Sequence, residues 1–255
     1  MSAERIAALA LIAGVVAFTV APAAAGPARS AAAEPSVQSM IVGSSGAVLS
    51  PPATVTAAAT SVRVTGRSCA VAAGTPLATL AAVRRAGGPG FALRDYGHCG
   101  PSPRNSGELF VDSLAGEANS AQNGWEYKVD GVAGGTGAAD PAGPSGNGRL
   151  LRSGQRVLWF WCHSVGGGCE RTLEVAPSSS TVSPGAQLAV TVTGYDNEGR
   201  GIPVPGSIVT LASDFASTGP SGRTTLIAPS TPGRYAIGAS RRGLVPSFPE
   251  TIVVR

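Results

Sequence analysis

Charge, lysine and histidine are scarce in this 255-residue sequence. Charged residues make up 13% of it, about half the usual share. Of its 19 basic residues only Lys128 is a lysine, and the only histidines are His98 and His163. Each shortage excludes something. No basic stripe with interleaved aromatics is present to follow a phosphate backbone, so nucleic acid is not an expected partner. A Ser-His-acid triad would have to use one of the two histidines, and each stands beside a cysteine. The G-x-S-x-G, H-E-x-x-H, P-loop and dinucleotide motifs are all missing. The sequence therefore reads as non-enzymatic, with no cofactor. Beyond the first 25 residues no apolar run approaches the roughly 20 residues that cross a bilayer, so no transmembrane segment is expected in the mature chain.

Turn formers are abundant. Gly 35 and Pro 20 make up nearly double the common share. That excludes a long helical bundle and points to short strands and many loops. With 43% hydrophobic residues the chain can still build packed cores.

The N-terminus has the pattern of a secretory leader. Arg5 precedes an apolar stretch from Ile6 to Val20, and Ala23-Ala24-Ala25 offers a small-residue cleavage site before Gly26. Residues 1–25 are read as a signal peptide and 26–35 as a spacer. The mature chain keeps the formal charge of +4, because Glu4 and Arg5 leave together. Secretion, or retention at the cell envelope, places Cys69, Cys99, Cys162 and Cys169 in an oxidising compartment. An even count there favours two disulfides. Three pairings are possible, and Cys69–Cys99 with Cys162–Cys169 is favoured, the second stapling a Gly-rich turn. Zinc is disfavoured, since adjacent residues of a strand, as in His98-Cys99 and Cys162-His163, point to opposite faces.

Along the chain, Ser36–Val42 and Ser61–Thr65 read as strands, with Pro51-Pro52 breaking the interval. Thr75 can N-cap a helix of about 11 residues: Pro76 suits its first position, Leu77 and Leu80 share a face, Arg84-Arg85 fill the last turn and Gly87-Gly88 stops it. Strands resume at Phe91–Tyr96 and Glu108–Leu114. Between Trp125 and Asp130 the alternation is clear: Trp125, Tyr127 and Val129 face one way, and Glu126, Lys128 and Asp130 the other, read as the solvated side. Asp130-Gly131 marks a turn. Residues 133–148 form a long loop, whose Gly134–Gly148 stretch could cover a ligand or be a mobile excursion, the second being favoured. Arg156–Cys162 is bulky on both faces and is expected in the middle of a sheet or covered on both sides. After Cys169, six short strands separated by polar turns describe a β-sandwich.

The first half resembles the transcobalamin C-terminal-like domain family. The residues that carry this are Gly74-Thr75-Pro76-Leu77-Ala78-Thr79-Leu80, Gly124-Trp125-Glu126-Tyr127-Lys128-Val129-Asp130-Gly131 and Gly154-Gln155-Arg156-Val157-Leu158-Trp159-Phe160. Asp130 stands where the family pattern has Asn, and Gln155 where it has Asp. The resemblance implies a small α+β domain in which a curved sheet grasps one helix, and by analogy a corrinoid-like ligand, although the helical barrel that holds a corrinoid in transcobalamins has no room here. The second half resembles bacterial immunoglobulin-like repeats through Val182-Ser183-Pro184-Gly185, Gly201–Gly206 and Pro232-Gly233-Arg234-Tyr235.

The fold expected is α+β over 36–169, followed by an all-β immunoglobulin-like sandwich over 170–255. Trp125, Tyr127, Trp159 and Trp161 are the candidate ligand-binding residues, able to line one surface if their strands pair. Alternatively these rings are core, Trp125 and Tyr127 above all, with Trp161 left partly exposed at its strand end. Two functions lead, with an envelope enzyme of non-standard site as a minor third. One is a binding module for a small molecule or an envelope component, with the second domain as a stalk. The other is a structural or adhesive surface protein that works through protein-contact surfaces.

Overall fold

Arg156–Cys162 carries two alternating sets of bulky residues, and the fold gives each set its own cover. The computed structural model describes residues 34–164 and 166–255. The leader at 1–25 and residues 26–33 of the spacer lie outside the described part. Within it the chain is mostly β, with one α-helix. No helix among the described residues is long and apolar enough to cross a membrane.

The first half opens with the hairpin β1 (Ser36–Val42) and β2 (Val48–Thr56), then the hairpin β3 (Thr60–Val64) and β4 (Arg67–Val71). Helix α1 (Pro76–Arg85) follows, and then the meander β5 (Phe91–Asp95), β6 (Leu109–Leu114) and β7 (Glu117–Ala118). The hairpin β8 (Gly124–Val129) and β9 (Val132–Ala133) precedes β10 (Arg156–Cys162). β10 inserts between β1, to which it runs parallel, and β8, to which it runs antiparallel, giving the order β2-β1-β10-β8-β9.

One face of this sheet presents Ile41, Val157, Trp159, Trp161, Trp125 and Tyr127 to a core that α1 completes with Leu77, Leu80 and Val83, and β6 with Leu109, Val111 and Leu114. Helix α1 forms where its caps require. The Thr75 hydroxyl accepts the Ala78 N–H at 3.4 Å, a cap of about 1 kcal/mol, and the Leu77 N–H donates to the Ala138 carbonyl at 2.8 Å.

Two expectations are corrected here. Pro51-Pro52 does not interrupt a strand, because β2 runs through both residues. β2 is an edge strand, and its pairing with β1 jumps from Ser39↔Ala53 to Ile41↔Ser50. The prolines thus sit in a bulge, where a missing N–H breaks no ladder. The 133–148 loop is also tied down along its length. Gly135 N–H donates to Pro144 O, Gly148 N–H to Ala142 O, and the Thr136 hydroxyl to Gly143 O. Ala138 and Ala139 are buried. At Gly137 a side chain would stand 2.0 Å from the Gly107 carbonyl oxygen, so glycine is what allows the loop to lie this close.

The second half is a two-sheet sandwich. One sheet joins β11 (Thr172–Pro177), β13 (Gln187–Tyr195), β14 (Gly201–Pro203) and β17 (Arg223–Ile227). The other orders β12 (Thr181–Val182), β19 (Glu250–Val254), β18 (Gly233–Ser240), β15 (Ile208–Leu211) and β16 (Asp214–Ser217). Their inner faces share Val175, Leu188, Val190, Val192, Val209, Leu211, Ile237 and Ile252. Strand β16 escapes sequence reading because the turn before it holds a non-glycine residue at positive φ, Ala212 at 53°, where turn signals are weakest.

Candidate functional site

The four aromatic residues proposed as a ligand surface do come together, but inside the core. β8 pairs with β10 so that Trp125 faces Trp161 and Tyr127 faces Trp159. The Trp125 and Trp161 rings meet edge to face at 5.7 Å and 89°, and Tyr127 and Trp159 lie 5.4 Å apart. All four are buried. Trp161, expected to be partly exposed, is only 8% accessible, because it packs with Trp125 inside the core cluster. Polar handles are used internally: Trp125 Nε1–H donates to Glu117 O at 2.8 Å, Tyr127 O–H to Thr136 O at 2.9 Å and Trp159 Nε1–H to the Thr79 hydroxyl at 3.4 Å. Burial pushes the Tyr127 phenol up to about 12. A cleft of about 340 Å3 runs beside Trp125, Tyr127 and Trp159 between β6 and the 134–138 loop, but those rings turn little surface to it.

The reverse face of the sheet holds what sequence reading missed. Lys128, placed there on the solvated side, is 1% accessible. The second half covers it. Its ammonium donates to the Asp196 carbonyl at 2.8 Å, the Tyr195 carbonyl at 3.0 Å and the Thr172 hydroxyl at 3.2 Å, so all three protons are used. The Phe160 ring lies 5.7 Å from it. Burial pushes this amine down to about 8; the Asp196 carboxylate opposes that fall and the Arg171 guanidinium adds to it.

Around Lys128, the reverse-face residues Met40, Val42, Leu158, Phe160 and Cys162 meet Val245 from the second half, with Phe248 packed at the margin. Arg156 reaches Glu250 and stacks 5.5 Å from the Phe248 ring. Ala133 N–H donates to Asn197 O at 2.9 Å. Apolar burial, a buried cation and an ion pair thus join the two halves.

The disulfides are Cys69–Cys99 and Cys162–Cys169, and no described cysteine is free. The second lies at the end of β10, where Glu170 accepts both the His163 N–H at 2.7 Å and a contact from His163 Nδ1 at 2.8 Å. A cleft of about 690 Å3 opens there, bordered by His163, Glu170, Arg241 and Arg242. His98 is exposed, with Nδ1 on the Gly97 carbonyl at 2.7 Å. Among the described residues no group of three or more His, Cys, Asp or Glu side chains is placed to hold a metal ion.

No family model matches the chain, and no curated protein matches it. Among solved structures it is similar to the D00-D0 domain of Intimin, at 13% identity and a TM-score of 0.25, over 58% of this chain and 89% of that one. A likeness at that level carries no argument about what this chain does.

Proposed function

We propose that this is a secreted or envelope-held, non-catalytic protein with a structural or adhesive role, presenting contact surfaces on two halves held in fixed orientation. The junction carries the reading. The sheet of the first half seats the second through Met40, Val42, Leu158, Phe160 and Lys128 on its reverse face, a packed junction in place of a hinged link. Two disulfides suit an oxidising exterior. The first half is read as a helix-grasping domain of the transcobalamin-like kind, its reverse face given over to the neighbour. The small-molecule reading loses its main support, because the rings that were to stack on a ligand are core residues.

The reading is tested with beads coated with the folded protein or with its reduced and alkylated form, incubated with bacterial envelopes and with animal cell surfaces. Capture by the folded form alone is the expected result. Equal capture by both forms would refute the adhesive role. A small molecule retained through native mass spectrometry of the secreted protein would restore the binding-module reading in its place.

A further inference from the structure

We propose that the outer face of the β5–β6 hairpin is a saccharide-binding site, and so the contact surface of the adhesive role on which this inference rests. β5 and β6 pair with Arg94 opposite Phe110. Alternation then sorts the side chains. Leu109, Val111 and Leu114 point into the core, while Arg94, Tyr96, Phe110 and Asp112 share the outer face. Two large rings result in water, Tyr96 at 64% and Phe110 at 41% accessibility, with centroids 6.1 Å apart and planes inclined at 63°. A pair of adjacent exposed rings has no packing role, and such a feature is informative where a single exposed apolar residue is not.

The surroundings narrow the ligand. The Arg94 guanidinium and Asp112 carboxylate pair at 3.0 Å beside the rings, so this patch offers planar donors and acceptors that neutralise each other. A cleft of about 370 Å3 joins these four residues to the 120–123 turn, which brings in Gln122 and the Asn123 amide N–H, its oxygen being held by Ser164 N–H, while the Glu126 carboxylate on its wall adds an acceptor for hydroxyls. Ala121 holds that turn at φ +53°. A pyranose has an apolar C–H face that lies on an aromatic ring and a rim of hydroxyls that both donate and accept. Inclined rings flanked by a neutral ion pair and amide side chains match both. A nucleotide fits poorly, since the cation here is already paired, and a flat heterocycle would call for parallel rings.

The test is affinity electrophoresis of the full chain in native gels cast with mannan, arabinogalactan or xylan. Retardation is expected in at least one gel, persisting at high salt. It should weaken roughly five-fold in Tyr96→Ala and in Phe110→Ala, the effect of losing one aromatic contact. It should be unchanged in Phe215→Ala, which removes an equally exposed ring on β16. All three substitutions are at the surface, and thermal melts confirm the fold of each variant. No retardation in any gel, or undiminished retardation in the Tyr96→Ala/Phe110→Ala double variant, overturns the proposal. Bead capture on periodate-treated surfaces separates the two readings. Capture that survives periodate, with no gel retardation, removes the saccharide site and leaves adhesion through protein contacts. Loss of capture on untreated surfaces removes both.

Discussion

The Lys128 ammonium lies 2.8 Å from the carbonyl oxygen of Asp196, 68 residues further along the chain. That contact joins the halves, and the burial of the amine between them makes their stability depend on pH. The amine has a pKa of about 8 when folded and 10.5 when free, so between those values the unfolded chain binds more protons. Stability must then rise with pH across that window, by about 2 kcal/mol at pH 10. Above pH 10 the Tyr127 phenol, raised to about 12 from 10.0, acts in the opposite direction and stability falls. Urea melts between pH 7 and 12 should give a maximum near pH 10. Lys128→Met should abolish the rise. At pH 7 it should also cost about 1–3 kcal/mol, because the carbonyls of Tyr195 and Asp196 lose their buried donor. A pH-independent wild-type midpoint from 8 to 10 would show that Lys128 is hydrated.

Trp125 and Trp161 should behave alike. Both are buried and pack edge to face. Replacing either by Ala should cost about 3–5 kcal/mol in urea melts, and the double variant should show a coupling of about 0.5–1.5 kcal/mol. A much smaller loss at Trp161 would place that ring at the surface.

The two halves should differ as isolated fragments. Residues 170–255 retain a complete inner core between their two sheets and should melt cooperatively. Residues 34–169 would expose Met40, Val42, Leu158 and Phe160 on the reverse face together with an unpartnered Lys128. That fragment should bind hydrophobic dyes and sediment as aggregates, unless the other half is supplied in trans. A monodisperse, dye-silent fragment 34–169 would show that the junction contributes little.

The disulfides should rank by loop length. Cys69–Cys99 spans 30 residues and Cys162–Cys169 spans 7. In the chain-entropy picture, losing the first costs about 1 kcal/mol more than losing the second. Paired Cys→Ser variants compared by thermal melts would measure the order. Alkylation of the unreduced, denatured protein should label no cysteine.

Much of the architecture was legible because period and turn chemistry agreed. β1 and α1 lie where alternation and caps put them, and the Asp130-Gly131 turn joins β8 to β9 with both residues at positive φ. That turn is tied to the residue preceding β10, Gln155 Nε2–H donating to the Asp130 carboxylate at 2.8 Å. The burial of Lys128 was also within reach. A strand as bulky on both faces as β10 must be covered on both, and a residue paired across from Leu158 shares its covered face. Reading β8 alone, as half-buried and amphipathic, hid that constraint. The fate of Trp161 was not legible, since which elements reach over the end of a strand depends on tertiary packing and not on local pattern.

The enclosed position of Lys128 gives the molecule an unusual chemical exterior. It is the sequence's single lysine, so every basic side chain at the surface is a guanidinium or an imidazole. Acylating reagents, aldehyde crosslinkers and lysine-directed modifying enzymes find no primary amine on the folded protein apart from the chain's own α-amino group. Such reagents would therefore couple at one point, and a second acylated position would appear only once the halves had come apart.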